Sequence, residues 1–341
     1  MDEDAPLSPR ESGCFVAERS RDVHVDEGGV RNVAEMLYGL RDSGVFAPGG
    51  WKQMNPLAPP PTSDAAINWV FVVDTMNFSF WPDREDQQCE VTCRGDTYRG
   101  YMSLCAAVTR AMDEGVPITD AAYFSQMSVE DLGTVLRSDN ATPMPMLPER
   151  HAALTEAGRA LLKHGGSVRH FLSACGHDAA EMVRHIVLHL PSYRDEATFQ
   201  GRKISFHKRA QILVADFWGI MEARGDAHVL NLDHLTMFAD YRVPQALVHL
   251  GALRYSDQLM EALKKGELLR SGERREVEIR GCSIHCVEKI KAGLHRLVRE
   301  RDGAECRVNS ALIDFFLWPY AKQHQRDMED VPVHHTRCIF Y

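Results

Sequence analysis

Apolar residues recur at helical spacing through most of the chain. Within residues 30–40, Val30, Val33, Ala34, Leu37 and Leu40 share one face, the i, i+3, i+4, i+7 stripe of an amphipathic helix. Start and stop signals frame further helices. Ser8-Pro9-Arg10-Glu11 combines an N-cap, a proline at the first helical position and a capping-box glutamate. Ser128 with Asp131 opens a second, Ser256 caps residues 257–265 ahead of Gly266, and Asn309 caps a helix running through Trp318. Helices are also predicted over residues 101–114 before Gly115, 148–164 before Gly165-Gly166, 177–190 before Pro191, and 207–224 before Gly225. The pattern changes between residues 68 and 101. Residues 68–74 (NWVFVVD) form an unbroken apolar run whose length and β-branching favour a strand over a short core helix. Residues 90–94 and 97–101 flank Gly95-Asp96, a hairpin signal with glycine first in a two-residue turn. Residues 56–62 (PLAPPPT) break regular structure and read as a surface loop. The fold class expected is therefore mainly α: a single helical domain over residues 1–341 with a small β element near residues 68–101 and a two-lobed division near residue 140.

Charge and composition narrow the function. At 341 residues, 44% hydrophobic and 26% charged, the chain has the make-up of a globular protein with a large core. Its apolar runs fall well short of the roughly 20 residues that span a bilayer, so no membrane partner is expected. The acidic, polar start MDEDAPLSPRES is the opposite of a secretory signal, which points to the cytoplasm, with the nucleus as the other compartment open to it. Net charge is −9 and basic residues are scattered, so no stable nucleic-acid partner is expected; a small molecule fits better. Nine cysteines spread from Cys14 to Cys338 fit reduced thiols in a reducing compartment. The CxxxC pairs Cys89/Cys93 and Cys282/Cys286 are read as core-facing thiols rather than zinc ligands, and no metal or organic cofactor is expected.

Three stretches carry chemistry. Residues 237–245 (MFADYRVPQ) place Asp240, Tyr241 and Arg242 consecutively just before Val243-Pro244, where side chains at a bend converge. The plain alternative is that Asp240 N-caps the next helix. Residues 74–81 (DTMNFSFW) set Asp74 and Asn77 before the aromatics Phe78, Phe80 and Trp81. Aromatic faces stack a heterocyclic base and the acid and amide read its edge; the alternative is a strand end entering the core. Asp314 lies inside the apolar, aromatic segment 310–318, so it either pairs with a base or faces a ligand.

Taken in order, these stretches resemble the queuosine-salvage family over almost the full chain. The likeness is carried by residues 9–12 (PRES), 20–22 (SRD), 68–71 (NWVF), 74–81, 101–107 (YMSLCAA), 191–195 (PSYRD), 208–216 (KRAQILVAD), 237–242 (MFADYR) and 277–282 (VEIRGC). The family is similar in fold to helical DNA glycosylases. The resemblance implies hydrolysis of the N-glycosidic bond of queuosine 5′-phosphate, with queuine and ribose 5-phosphate as products and no cofactor. It assigns Asp240 to the oxocarbenium-like ribose and Phe238 to stacking on the base, with Phe78 as a second stacking candidate. Asp74, Asp314 and Asn77 become candidates for the base, and Arg242, Tyr241 and Lys208 for the 5′-phosphate. One departure stands out: near residues 51–56 (WKQMNP), where relatives carry a histidine, this chain has none. Two other readings remain: a glycosylase acting on a modified base in DNA, and a non-catalytic queuine carrier or tRNA-modification partner.

Overall fold

The computed structural model describes residues 5–46, 51, 55–84, 87–226 and 229–341. In chain order its elements are α1 (Pro9–Ala17), β1 (Val23–Val25), α2 (Glu27–Leu40), α3 (Asp64–Thr75), β2 (Glu90–Cys93), β3 (Asp96–Arg99), α4 (Tyr101–Asp113), α5 (Ala121–Phe124), α6 (Val129–Val135), α7 (Leu147–Lys163), α8 (Val168–Ser173) and α9 (Ala179–His189). These are followed by β4 (Glu196–Phe199), β5 (Arg202–Ser205), α10 (Lys208–Arg224), α11 (Arg242–His249), β6 (Leu253–Tyr255), α12 (Asp257–Lys264), α13 (Arg274–Asp302) and α14 (Ser310–Gln323). The chain is mainly helical, and among the described residues its β structure is confined to three short antiparallel pairs: β1 with β6, β2 with β3 and β4 with β5.

The helix signals are realised as read. Ser8 and Glu11 form a reciprocal capping box over Pro9, Ser128 and Asp131 form a second, and Ser256 and Asn309 accept the Leu259 and Leu312 amides. Three sequence expectations are corrected. Residues 68–74 belong to α3, not to a strand. Ala66, Ile67 and every residue from Trp69 to Thr75 are buried, and a helix buried all round shows no amphipathic period for a reader to find. The hairpin turn is Arg94-Gly95, not Gly95-Asp96. Both turn residues have positive φ (52° and 93°) and Cys93 pairs with Asp96, as a tight hairpin turn of this hand requires. A second hairpin, β4–β5, interrupts the stretch after residue 101, which reads as nearly all helix. The β structure thus extends beyond residues 68–101, while α14 runs on to Gln323 with Pro319 inside it.

Two compact units are present. The first comprises Met1–Ala47, Asp195–Lys208 and Leu232–Arg337. It is built on α13, against which α1, α2, β1, α11 and α14 pack. Helices α1 and α13 approach closely because Gly13 and Gly281 carry no Cβ: one added at Gly281 would lie 2.7 Å from Val16 Cβ, and one at Gly13 2.9 Å from Ile284 Cγ2. Cys282 and Cys286 face this core and their thiols donate to the Val23 and Ala252 carbonyls. The second unit comprises Pro48–Arg194, Arg209–Asn231 and Cys338–Tyr341. In it α3 packs against α4, α7 and α8, and the β2–β3 hairpin lies on α4, burying Cys89 and Cys93.

Candidate functional site

In the first unit, residues 235–240 run without regular structure yet are buried throughout, so each polar group there needs a partner. The Phe238 amide donates to Asp314 Oδ2 at 2.9 Å, and the Ala239 carbonyl accepts from Arg280 Nε at 2.9 Å. Asp240 follows. Its Oδ1 accepts the Arg242 and Val243 amides at 2.8 and 2.9 Å, the first free N–H groups of α11. Asp240 thus holds the helix start from the position before the N-cap, Tyr241, and this leaves room for chemistry: it occupies one carboxylate oxygen, while Oδ2 makes no hydrogen bond to a described residue. The helix terminus also favours negative charge on this side chain.

Asp240 and Asp314 are electrostatically linked. Burial raises the Asp240 carboxyl above its usual range, opposed by Lys208, by the Val243 and Arg242 amides and by the Arg242 charge. Burial and then the negative charge of Asp240 push Asp314 well above the usual range, against a weaker pull from the Phe238 amide and Lys208. Two like charges held this close do not ionise together. Asp240 has the larger set of stabilising donors, so the proton of the pair resides on Asp314 and the charge on Asp240. Phe238 is 3% exposed, its ring centroid 5.8 Å from that of Phe315. Lys208 is buried, with its amide on Asp195 Oδ2 at 3.1 Å. Arg242 lies over the Tyr241 ring and donates to Gln245 at 3.4 Å.

Two side chains that the sequence reading passed over, Lys322 and His335, lie near Arg242, with Arg337 near His335. Desolvation and then the Arg242 charge hold the Lys322 ammonium below the usual lysine range. Burial, Arg242 and Arg337 press His335 down to about 4. Lys322, His335 and Arg337 belong to no motif, so only folding reveals their grouping.

The second unit holds Asp74, Asn77 and Phe78. Asp74 lies in the last turn of α3 and is 1% exposed; it lies beside Asp216, which accepts Trp51 Nε1 at 3.0 Å. Burial raises Asp216 to about 7, with Trp51 and Asp74 opposing. Neighbouring buried carboxyls do not readily ionise together, so this unit carries an acid pair of its own. Asp216 was missed although it closes the KRAQILVAD stretch. The Asn77 amide donates to the Asp74 carbonyl at 3.3 Å. Phe78 is fully buried, with the guanidinium carbons of Arg150 and Arg209 4.6 and 5.2 Å from its ring centroid. Arg150 also donates to the Met76, Phe78 and Ser79 carbonyls and Arg209 to those of Asp74 and Thr75, so two buried guanidiniums fix the backbone of this segment. Of the segment lacking a family histidine, residues 52–54 lie outside the described residues.

Comparison with known proteins gives the family. Residues 57–341 match the family model described as queuosine salvage protein. A Mus musculus protein named queuosine 5′-phosphate N-glycosylase/hydrolase is 51% identical over 337 residues, covering 98% of this chain and 99% of its own. A Bos taurus protein of the same name is 49% identical over 99% of this chain and 100% of its own. The bacterium Sphaerobacter thermophilus has one at 33% identity, covering 96% and 95%. With relatives this similar along nearly their whole length, and with the MFADYR segment seated on a helix terminus, the chain belongs to the queuosine-salvage protein family.

Proposed function

We propose that the chain hydrolyses the N-glycosidic bond of queuosine 5′-phosphate, releasing queuine and ribose 5-phosphate. The observation that carries this reading is the near full-length match to proteins named for that reaction, and the geometry of Asp240 supplies its chemistry. As the bond to the base lengthens, positive charge grows on the ribose, and a fixed carboxylate stabilises it, attacks it or orients water against it. Asp240 suits this role: one oxygen anchored by two main-chain amides, the other without a described partner, and the negative charge of the pair.

Phe238 is proposed to stack on the base, and Asp314 to meet its polar edge. Arg242, Tyr241 and Lys208 are proposed for the 5′-phosphate, where guanidinium and ammonium donors match phosphate oxygens; Lys322 adds positive charge near Arg242, while His335 beside it is held neutral. Asp74, Asn77 and Phe78 are proposed as base contacts on the strength of the DTMNFSFW resemblance. The activity is assigned to residues 1–341 as one N-glycosidase domain acting on a small molecule in the cytoplasm. No described helix is long and apolar enough to cross a membrane.

The test is to incubate the full chain with queuosine 5′-phosphate and with the unphosphorylated nucleoside and follow free base by chromatography. Queuine is expected from the nucleotide. Tight queuine binding with no release from either compound would replace hydrolysis by carriage.

A further inference from the structure

Residues 191–195, 208–216 and 277–282, three stretches that carry the family resemblance, contribute Asp195, Lys208 and Arg280 to the first unit. In the first unit their charged residues meet behind Asp240. Arg280, on α13, is 2% exposed and Asp195 3%. Arg280 Nη1 and Nη2 donate to the two carboxylate oxygens of Asp195 at 2.8 and 2.6 Å, and Nε donates to the Ala239 carbonyl at 2.9 Å. Glu276, one turn earlier on the helix, accepts from Nη1 at 3.4 Å, and the guanidinium carbon lies 4.2 Å from the Phe206 ring centroid. Asp195 Oδ2 accepts the Lys208 amide as well.

A bidentate carboxylate fixes the plane of a guanidinium, and with it the direction of the remaining Nε–H. Here that direction is set on the carbonyl of the Ala239–Asp240 peptide. We infer that Arg280 is a positioning residue for Asp240, aimed by Asp195. Asp240 is then pinned on two sides: its peptide by Arg280, its Oδ1 by the Arg242 and Val243 amides. Asp195 joins the two ends of the device, since it aims Arg280 and also holds the main chain of Lys208, whose charge lowers the pKa of Asp240. Arg280 touches no reacting atom; it acts through the placement of one that does. The inference rests on the reading of Asp240 as the reacting carboxylate.

Arg280→Lys keeps a positive charge but cannot hold Asp195 in two parallel bonds while reaching Ala239. Asp195→Asn keeps Arg280 but weakens its aim. Both full-length variants are compared with wild type in kcat and KM for queuine release, in thermal unfolding, and in hydrogen exchange of the Arg242 and Val243 amides. The expected result is a folded Arg280→Lys protein with kcat lower by about 100-fold, KM within about threefold of wild type, and faster exchange at both amides. Asp195→Asn moves the same way by less, and the double variant is no worse than Arg280→Lys because the two act in series. A folded Arg280→Lys protein with wild-type kcat and unchanged exchange would show the ion pair to be structural only and overturn the inference. If Arg280→Lys does not fold, Asp195→Asn decides by the same readouts. Wild type inactive on queuosine 5′-phosphate would instead defeat the functional reading and leave amide exchange to judge the positioning.

Discussion

Asp240 is where capping and chemistry meet in one side chain. The residue types around it, Asp-Tyr-Arg before a proline, are compatible with an N-cap and with a reacting acid, and sequence alone favours neither oxygen for either task. Folding separates the two: Oδ1 serves α11 and the charge of the pair stays on Asp240 because Asp314 holds the proton. This has a direct consequence. Asp314→Asn keeps an acceptor for the Phe238 amide and matches the neutral acid in shape, so it should retain kcat within about tenfold of wild type. A loss beyond about a thousandfold, from a folded variant, would mean that Asp314 works as an anion. The Asp74–Asp216 pair makes a prediction in pH. The Asp216 carboxyl is raised to about 7 in the folded chain, from an ordinary value of 3.8, so the folded state binds the extra proton and stability falls as pH rises from about 4 to about 7. Asp216→Asn removes that titration and still accepts from Trp51. Its melting temperature relative to wild type should climb across this window, by a few kcal/mol of stability at most, and a difference flat in pH would contradict that extra proton.

Among the elements, those with local signals were legible and those set by tertiary packing were not. Capping boxes at Ser8 and Ser128 act within one turn of chain, so residue order alone reveals them. Residues 68–74 could not be placed that way: burial on all sides erased the helical period, and β-branched residues favoured a strand. The charged residues behind Asp240 were visible as motifs, but their purpose was not, because Asp195 and Arg280 lie 85 positions apart and meet only through packing. The crossing of α1 with α13 shows how tightly Arg280 is framed. Its neighbour Gly281 lies against Val16, and Gly281→Ala would force a Cβ to 2.7 Å from that side chain. Overpacking of this kind costs about 1–3 kcal/mol, which urea unfolding of the variant would detect; unchanged stability would mean that the helices separate freely.

At the scale of the whole molecule, charge and family point the same way. A chain of net charge −9, many of whose arginines pair with its own carboxylates, as at Arg41, Arg94, Arg274 and Arg301, has little to offer a polynucleotide backbone, whose binding scales with phosphates neutralised. Fluorescence anisotropy with labelled tRNA near 0.15 M salt, about the physiological range, should show no saturable binding at micromolar protein; tight, salt-sensitive binding would contradict a small-molecule enzyme. The central claim is tested most directly by queuine release from queuosine 5′-phosphate, comparing wild type with Asp240→Asn, an isostere that can still accept the Arg242 and Val243 amides. Release by wild type, with release abolished in a folded variant that still binds the nucleotide, is the predicted result. Release by Asp240→Asn at the wild-type rate would contradict it and move the reacting group elsewhere.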